Sequence, residues 1–248
     1  MNIAVLVKLV PDTEATIKID ADRRKIAAGE INFVLNPYDE FAVEEGLRQK
    51  EKAGGQVTVI SLGGDEAAKA LRNALAIGAD EAIQVKSNGG LDMLGIAKAL
   101  ADAIRGRGFD LILAGKQAVD DDCGAVGAMV AEFLDIPHVS IVTKLDIEGD
   151  KLTATREIEG GVEVFEANLP ALITAQKGLN EPRYASLKGI MASKKKVIEE
   201  VAATISTPKV EVITLTYPPQ RPPGRIVGQG VDAVPELVRL LREEAKVL

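Results

Sequence analysis

The chain has 248 residues and a mass of 26.3 kDa, enough for one large domain, or one domain with an appendage, around a real hydrophobic core. With 46% hydrophobic and 27% charged residues and only 11 prolines, it is neither disordered nor fibrous, and its net charge of -7 argues against phosphate-backbone binding to nucleic acid. A single cysteine, Cys123, and a single histidine, His138, exclude an internal disulfide and leave too few soft ligands for a metal centre.

The start MNIAVLVKLV is apolar but carries Lys8 and runs into Pro11 and Asp12, so residues 2–10 are expected as a first buried strand, not a signal peptide. The segment 36–55, NPYDEFAVEEGLRQKEKAGG, reads as a helix: Asn36 is a favourable N-cap, Pro37 suits the first helical position, acidic residues fill the first turn, and Gly54-Gly55 closes it. QVTVIS (56–61) is a second strand, and 65–80 is a second helix with alanines and leucines three and four residues apart. AIQV (82–85) is a third strand, 91–108 a third helix, and DLILA (110–114) a fourth strand leading into GKQAVDDDCGAVGAMVAEFL (115–134). Short strands alternating with helices predict βαβ units and a parallel sheet, that is, an α/β fold.

Beyond Pro137 the texture changes. Residues 138–175 alternate β-branched residues around two turn signals, Glu148-Gly149-Asp150 and Glu159-Gly160-Gly161, which predicts antiparallel hairpins added to the parallel sheet. Residues 178–196 read as a loop and a short helix with a basic end. An isolated strand, VEVITLTY, follows at 210–217, then PPQRPPG and an amphipathic helix over 234–246. The predicted division is therefore 1–207 as an α/β nucleotide-binding domain and 208–248 as a C-terminal arm that packs on another subunit. No run approaches the roughly 18 to 20 apolar residues that cross a bilayer, and without a leader the expected compartment is the cytoplasm.

Neither a G-x-G-x-x-G after the first strand nor a G-x-x-x-x-G-K-[ST] occurs. The candidate site lies instead at the carboxyl end of the fourth strand, where Gly115, Lys116, Gln117 and Ala118 make the turn and a helix opens near 122–127. Ligands of open α/β sheets bind at such ends, and the free amides of a helix start favour an anion. By pattern alone this is either a nucleotide or phosphate site or a capped structural turn. Asp120, Asp121 and Asp122 would repel a phosphate unless they cap amides, hold ribose hydroxyls or face solvent. Cys123 lacks a resolving partner and His138 sits at a strand start, so neither is expected to be catalytic. Lys194-Lys195-Lys196 is expected as a solvated helix end. With 3% aromatic residues and no Trp, the chain alone builds neither a base-stacking platform nor a flavin sandwich.

Three segments in order carry a further signal: NPYDEFAVEEGLR at 36–48, GKQAVDDDCGAVG at 115–127, and TREIEGGVEVFEANLPALITAQKGLNEPRYASLKGIMASKKK at 155–196. Together they resemble the beta-subunit family of electron transfer flavoproteins, and the likeness runs from the first strand to PPQR at 218–221. The resemblance implies a parallel-sheet, adenine-nucleotide hydrolase-like (Rossmann-like) domain with hairpin additions and an arm. It also implies a heterodimer whose alpha subunit carries most of the contacts to a redox-active FAD, with a structural AMP in the beta subunit. Such a subunit does no bond-making chemistry. Electrons come from acyl-CoA or related dehydrogenases and leave to a quinone reductase or similar acceptor.

The AMP positions the resemblance picks out are Leu6, Asn36, Pro37, Tyr38, Asp39, Leu62, Leu111, Gly115, Lys116, Gln117, Ala118, Val119, Asp120, Asp121, Asp122, Cys123, Gly124, Ala125 and Val126. Electron-bifurcating members, which hold a second FAD there, have glycine and threonine where this chain has Asp121 and Cys123; the bulkier, charged residue favours AMP. Residues 183–192 resemble the family's recognition loop, which implies docking roles for Arg183, Tyr184, Leu187, Ile190 and Met191 and makes Leu187 the anchor. A Leu187 packed under its own loop is the plain alternative. Glu157 matches a glutamate that pairs with the mobile flavin domain. A nucleotide-sensing module of the universal-stress type shares such a sheet and crevice, but it would have no use for the arm or for the loop around Leu187.

Overall fold

The computed structural model describes residues 1–248 other than 28, 30 and 222. β1 (Asn2–Leu6) is buried on both faces, as a parallel strand in the middle of a covered sheet must be. The run expected as one strand over 2–10 is split. At Lys8 the backbone N–H goes to the Asp39 carboxylate at 2.7 Å and not to a ladder, and β2 (Leu9–Pro11) then pairs antiparallel with β3 (Phe33–Leu35) in a separate ribbon.

α1 (Pro37–Ala53) starts on its proline as predicted, but Asn36, at the N-cap position, makes no capping bond; its side chain is used elsewhere. β4 (Gln56–Gly63), a 3-10 turn and α2 (Ala68–Ile77), β5 (Glu81–Lys86), α3 (Met93–Ile104) and β6 (Leu111–Gly115) follow in the expected alternation. α4 (Val126–Leu134) opens four residues after Asp122 because Asp122 and Gly124 take left-handed backbone angles that stop a helix.

β7 (His138–Glu148), β8 (Lys151–Ile158) and β9 (Gly161–Asn168) form the two antiparallel hairpins expected from the turn signals. β10 (Ala171–Ala175) departs from that expectation. Buried at every position, it is inserted between β6 and β7 and is parallel to both, as a continuous apolar run in a central strand should be. α5 (Leu187–Ser193) and β11 (Glu199–Ala202) complete the sheet, whose order is β11-β5-β4-β1-β6-β10-β7-β8-β9.

The parallel middle of the sheet is covered on both faces, and β1 shows why. Ile3 and Val5 enter one core with Val43 and Leu47 of α1 and Leu71 and Leu75 of α2; Ala4 and Leu6 enter the other with Leu100 and Ile104 of α3 and Val130 of α4. From β1 the chain builds β4 and β5 outward on one side, then crosses back to lay β6 on the other. The strand order reverses at β1, and a crevice opens at the carboxyl ends of β1, β4 and β6.

The chain divides into two compact units, Met1–Ile213 and Thr214–Leu248. The second holds a 3-10 turn and α6 (Val234–Glu243), with Pro235 in its first turn, and none of its described residues is buried. The strand expected at 210–217 does not form: the segment has no ladder partner, and β11, eight residues upstream, takes the edge of β5 instead. Among the described residues no helix is long and apolar enough to cross a membrane.

Candidate functional site

The crevice at the strand-order reversal is a cleft with an apolar end and a polar end. Ile60 and Leu62 of β4 and Met93, Ile96 and Leu100 of α3 form the apolar wall, the last three at helical spacing on one face. The polar end is made by Lys8 after β1, by Gly115, Lys116, Gln117 and Ala118 after β6, and by Asp121, Cys123, Gly124, Ala125, Val126 and Gly127 at the approach to α4. No side chain caps α4. Its first N–H groups are therefore free to receive an anion, an interaction worth about 0.3 to 1 kcal/mol at an exposed helix end.

Two residues at the start of α1 hold this polar end together. Asn36, 1% exposed, donates from Nδ2 to the Gln117 carbonyl at 2.9 Å and accepts the Val119 N–H on Oδ1 at 3.2 Å. Asp39 accepts the Lys8 N–H on Oδ2 at 2.7 Å and the Gly115 N–H on Oδ1 at 3.0 Å, tying the exits of β1 and β6 to each other. A Cβ at position 115 would collide with Asp39 Oδ1 and the Tyr38 backbone, so glycine is required there. Burial pushes the Asp39 carboxyl up to about 7 against the opposing effect of these hydrogen bonds.

The acidic run resolves into three different contacts. Lys8 Nζ pairs with Asp120 at 2.8 Å and Asp121 at 3.0 Å; burial works against its charge, but those two carboxylates prevail and hold its pKa above the ordinary lysine value. Burial likewise opposes the charge of Asp121, yet the Cys123 N–H at 3.1 Å and Lys8 bring its pKa below the usual carboxylate range. Asp122 accepts from Gln117 Nε2 at 2.6 Å. None of the three caps α4; they brace the loop, and Lys8 offsets part of their charge. The Cys123 thiol is pushed up by burial and by Asp121, the wrong direction for a nucleophile.

Of the residues expected at the site, Leu6, Asn36, Asp39, Leu62, Lys116, Cys123 and Val126 line the cleft with the glycines and loop residues already named. Pro37 sits in the first turn of α1, and Tyr38 carries the Lys116 ammonium 4.8 Å over its ring. Val119, Asp120 and Asp122 act through the loop contacts above. Leu111 is apart: it is fully buried in the core at the amino end of β6, four residues of extended chain from the cleft. Gly127, expected at the helix opening, also lines the cleft, whereas Lys8, Ile60, Met93, Ile96 and Leu100 were not anticipated. A lysine at the end of a β-branched strand and the 93, 96, 100 stripe were the available signals. Among the described residues no group of three or more His, Cys, Asp or Glu side chains is placed to hold a metal ion.

On another face lies the loop over 178–196. Tyr184, Leu187 and Met191 are 98%, 84% and 62% exposed, and Ile190 joins them at 40%, so Leu187 does not pack beneath its own loop. Ser186 caps α5 through the Gly189 N–H at 3.0 Å. The mount is rigid. Asn180 donates to the Phe41 carbonyl and to Glu45 at 3.0 Å, Arg72 holds the Ser193 and Lys196 carbonyls, and Arg183 forks onto both Glu44 and Glu51 at 2.6–3.1 Å. Arg183 is thus the staple of this loop to α1, and Tyr184, Leu187, Ile190 and Met191 stand exposed beside Lys188 and Lys194. Glu157 is exposed on β8, opposite Val162 of β9.

Residues 24–206 match the family described as electron transfer flavoprotein domain. The electron transfer flavoprotein subunit beta of Bacillus subtilis is 42% identical, with all of both chains aligned. The subunit beta of Syntrophomonas wolfei is 45% identical over 90% of this chain and 89% of its own length, and that of Homo sapiens 39% over 100% and 99%. Beta subunits of this kind are electron-carrier components that work as heterodimers with an alpha subunit and associate with flavin in that heterodimer. A strand-switch cleft with an uncapped helix start, and a family match over most of the chain, lead to one conclusion: this chain belongs to the electron transfer flavoprotein family, as a beta subunit.

Proposed function

We propose that this chain holds AMP in the cleft, braces an FAD-bearing alpha subunit, and docks partner dehydrogenases through residues 183–192. The observation that carries the nucleotide reading is the division of the cleft: an apolar slot between Leu62 and Met93-Ile96-Leu100 takes a purine, and the uncapped start of α4 takes a monophosphate. Gly124, left-handed at φ 59°, lets the loop backbone approach the ligand. Against a flavin at this place stands Asp121, a charged side chain fixed across the loop by Lys8 and by the Cys123 N–H.

Leu187 is the anchor of the docking loop: one exposed leucine entering an apolar pocket gains about 2 kcal/mol, enough for recognition and weak enough for rapid release. Electrons pass from acyl-CoA or related dehydrogenases to the flavin of the heterodimer and on to a quinone reductase or similar acceptor. When bound, FAD supplies the redox chemistry; the residues of this chain position and dock. Glu157 biases the flavin domain through an exposed pair worth under about 1 kcal/mol. Residues 208–248 pack on the alpha subunit.

The test is to co-express the chain with its alpha subunit, purify, denature and quantify released nucleotides by chromatography. One FAD and one AMP per heterodimer is the expected result. Two FAD and no AMP would replace this reading with a bifurcating carrier, and a chain that ignores the alpha subunit and retains ATP would remove it.

A further inference from the structure

After β11 the chain runs back along α3 in an extended strap, 203–211, that belongs to no sheet. Only Ala203 of its apolar residues packs on the core, while Ile205 is 89% and Val210 68% exposed, so apolar burial does little to hold it down. Polar contacts hold it at four points, two of them at the ends of α3. Ala203 donates its N–H to the Lys86 carbonyl at 3.0 Å, and Thr204 hydrogen-bonds Asp102 near the end of α3. At the start of α3, Asp92 accepts the N–H groups of Lys209 at 2.5 Å and Val210 at 3.1 Å on Oδ2. Glu211 then pairs with Arg24 at 3.0 Å.

Asp92 has a second duty. Its Oδ1 accepts the Gly95 N–H at 2.9 Å and so caps α3. The strap passes so near this turn that a Cβ at position 95 would lie 2.7 Å from Ser206 Oγ, and position 95 is glycine. The residues next in line, Met93 and Ile96, form the apolar wall of the cleft. One carboxylate therefore joins the cleft wall and a strap more than a hundred residues distant in sequence.

We propose that Asp92 is a positioning residue that couples the strap 203–211 to the cleft, so that a nucleotide ordering the first turn of α3 also orders the strap. The coupling rests on the AMP reading above; the clasp itself does not. A ligand that needs the turn in place stabilises whatever shares the turn's hydrogen bonds, and the effect is reciprocal.

The test is amide hydrogen exchange on the full-length chain with and without AMP, comparing wild type with Asp92→Ser. Serine can still cap Gly95 but is too short to reach the strap. In the variant, exchange at Lys209 and Val210 should be about tenfold faster while Gly95 stays protected, as expected when a hydrogen bond to a charged acceptor is lost. AMP should slow strap exchange severalfold in wild type and leave it unchanged in the variant. Wild-type exchange rates at 209–210 in Asp92→Ser overturn the clasp. AMP bound to wild type with no change in the strap overturns the coupling alone, whereas failure of AMP to bind wild type overturns the nucleotide reading and the coupling with it.

Discussion

Arg183→Met is the substitution for which the geometry specifies a magnitude. The guanidinium makes two forked pairs of unequal worth: Glu44 is 7% exposed and Glu51 57%, with Arg183 itself at 38%. The Glu51 pair is a surface interaction, worth under about 1 kcal/mol and weakened by salt. The Glu44 pair differs because its loss leaves a buried carboxylate without its cation, which in a fully buried setting costs about 3 to 5 kcal/mol. Discounted for the solvent that reaches Arg183, the expected loss is about 2 to 3 kcal/mol, or about 5 °C in Tm for a domain of this size. Urea unfolding followed by far-ultraviolet circular dichroism measures it. Met preserves the aliphatic stem, so the change reports on charge and not on packing. Glu51→Gln should cost less than about 1 kcal/mol, and Arg183→Met combined with Glu44→Gln should recover at least about 1 kcal/mol of the single loss. A single variant within about 0.5 kcal/mol of wild type, or a Glu51→Gln as damaging as Arg183→Met, would refute the reasoning.

Two further outcomes follow from the site and the loop. Burial raises Asp39 to about 7, so between about pH 4 and 7 the folded chain keeps a proton that the unfolded chain has released. The contribution of Asp39 to stability is therefore fullest below pH 4 and is lost as pH rises to 7; urea midpoints at pH 5 and pH 8 should differ less in Asp39→Asn than in wild type, and an equal difference in both would contradict the assignment. Leu187→Ala should leave the folding midpoint and flavin content unchanged, because the side chain is 84% exposed, while lowering kcat/KM for transfer from a dehydrogenase about thirtyfold. Steady-state rates equal to wild type at limiting flavoprotein would reject the anchor role.

Local order was largely legible. Pro37, the acidic first turn and Gly54 delimit α1 because they act on the backbone beside them, and the hairpin turns at 148–150 and 159–161 declare themselves in the same way. The loop at 115–126 was found for a related reason: it follows a strand and carries the glycines that a close backbone needs. Misreadings arose where a residue's partner is distant. Asn36 has the composition of an N-cap, yet its amide is drawn to a loop more than eighty residues on, and Lys8 looks like an interruption in a strand until Asp120 and Asp121 are brought beside it.

The sequence by itself therefore determined the order of elements, the position of the cleft-forming loop, the apolar tip at Leu187 and the family, since each is written in neighbouring residues or in motifs whose order survives in one dimension. Only the tertiary structure decided that β10 lies between β6 and β7, that 210–217 finds no ladder, that Arg183 staples its loop to α1, and that Asp39 and Asp92 each join two remote backbones. Strand pairing and charge pairing depend on which surfaces are left free once the sheet is built, and that competition is settled by long-range packing, not by local propensity.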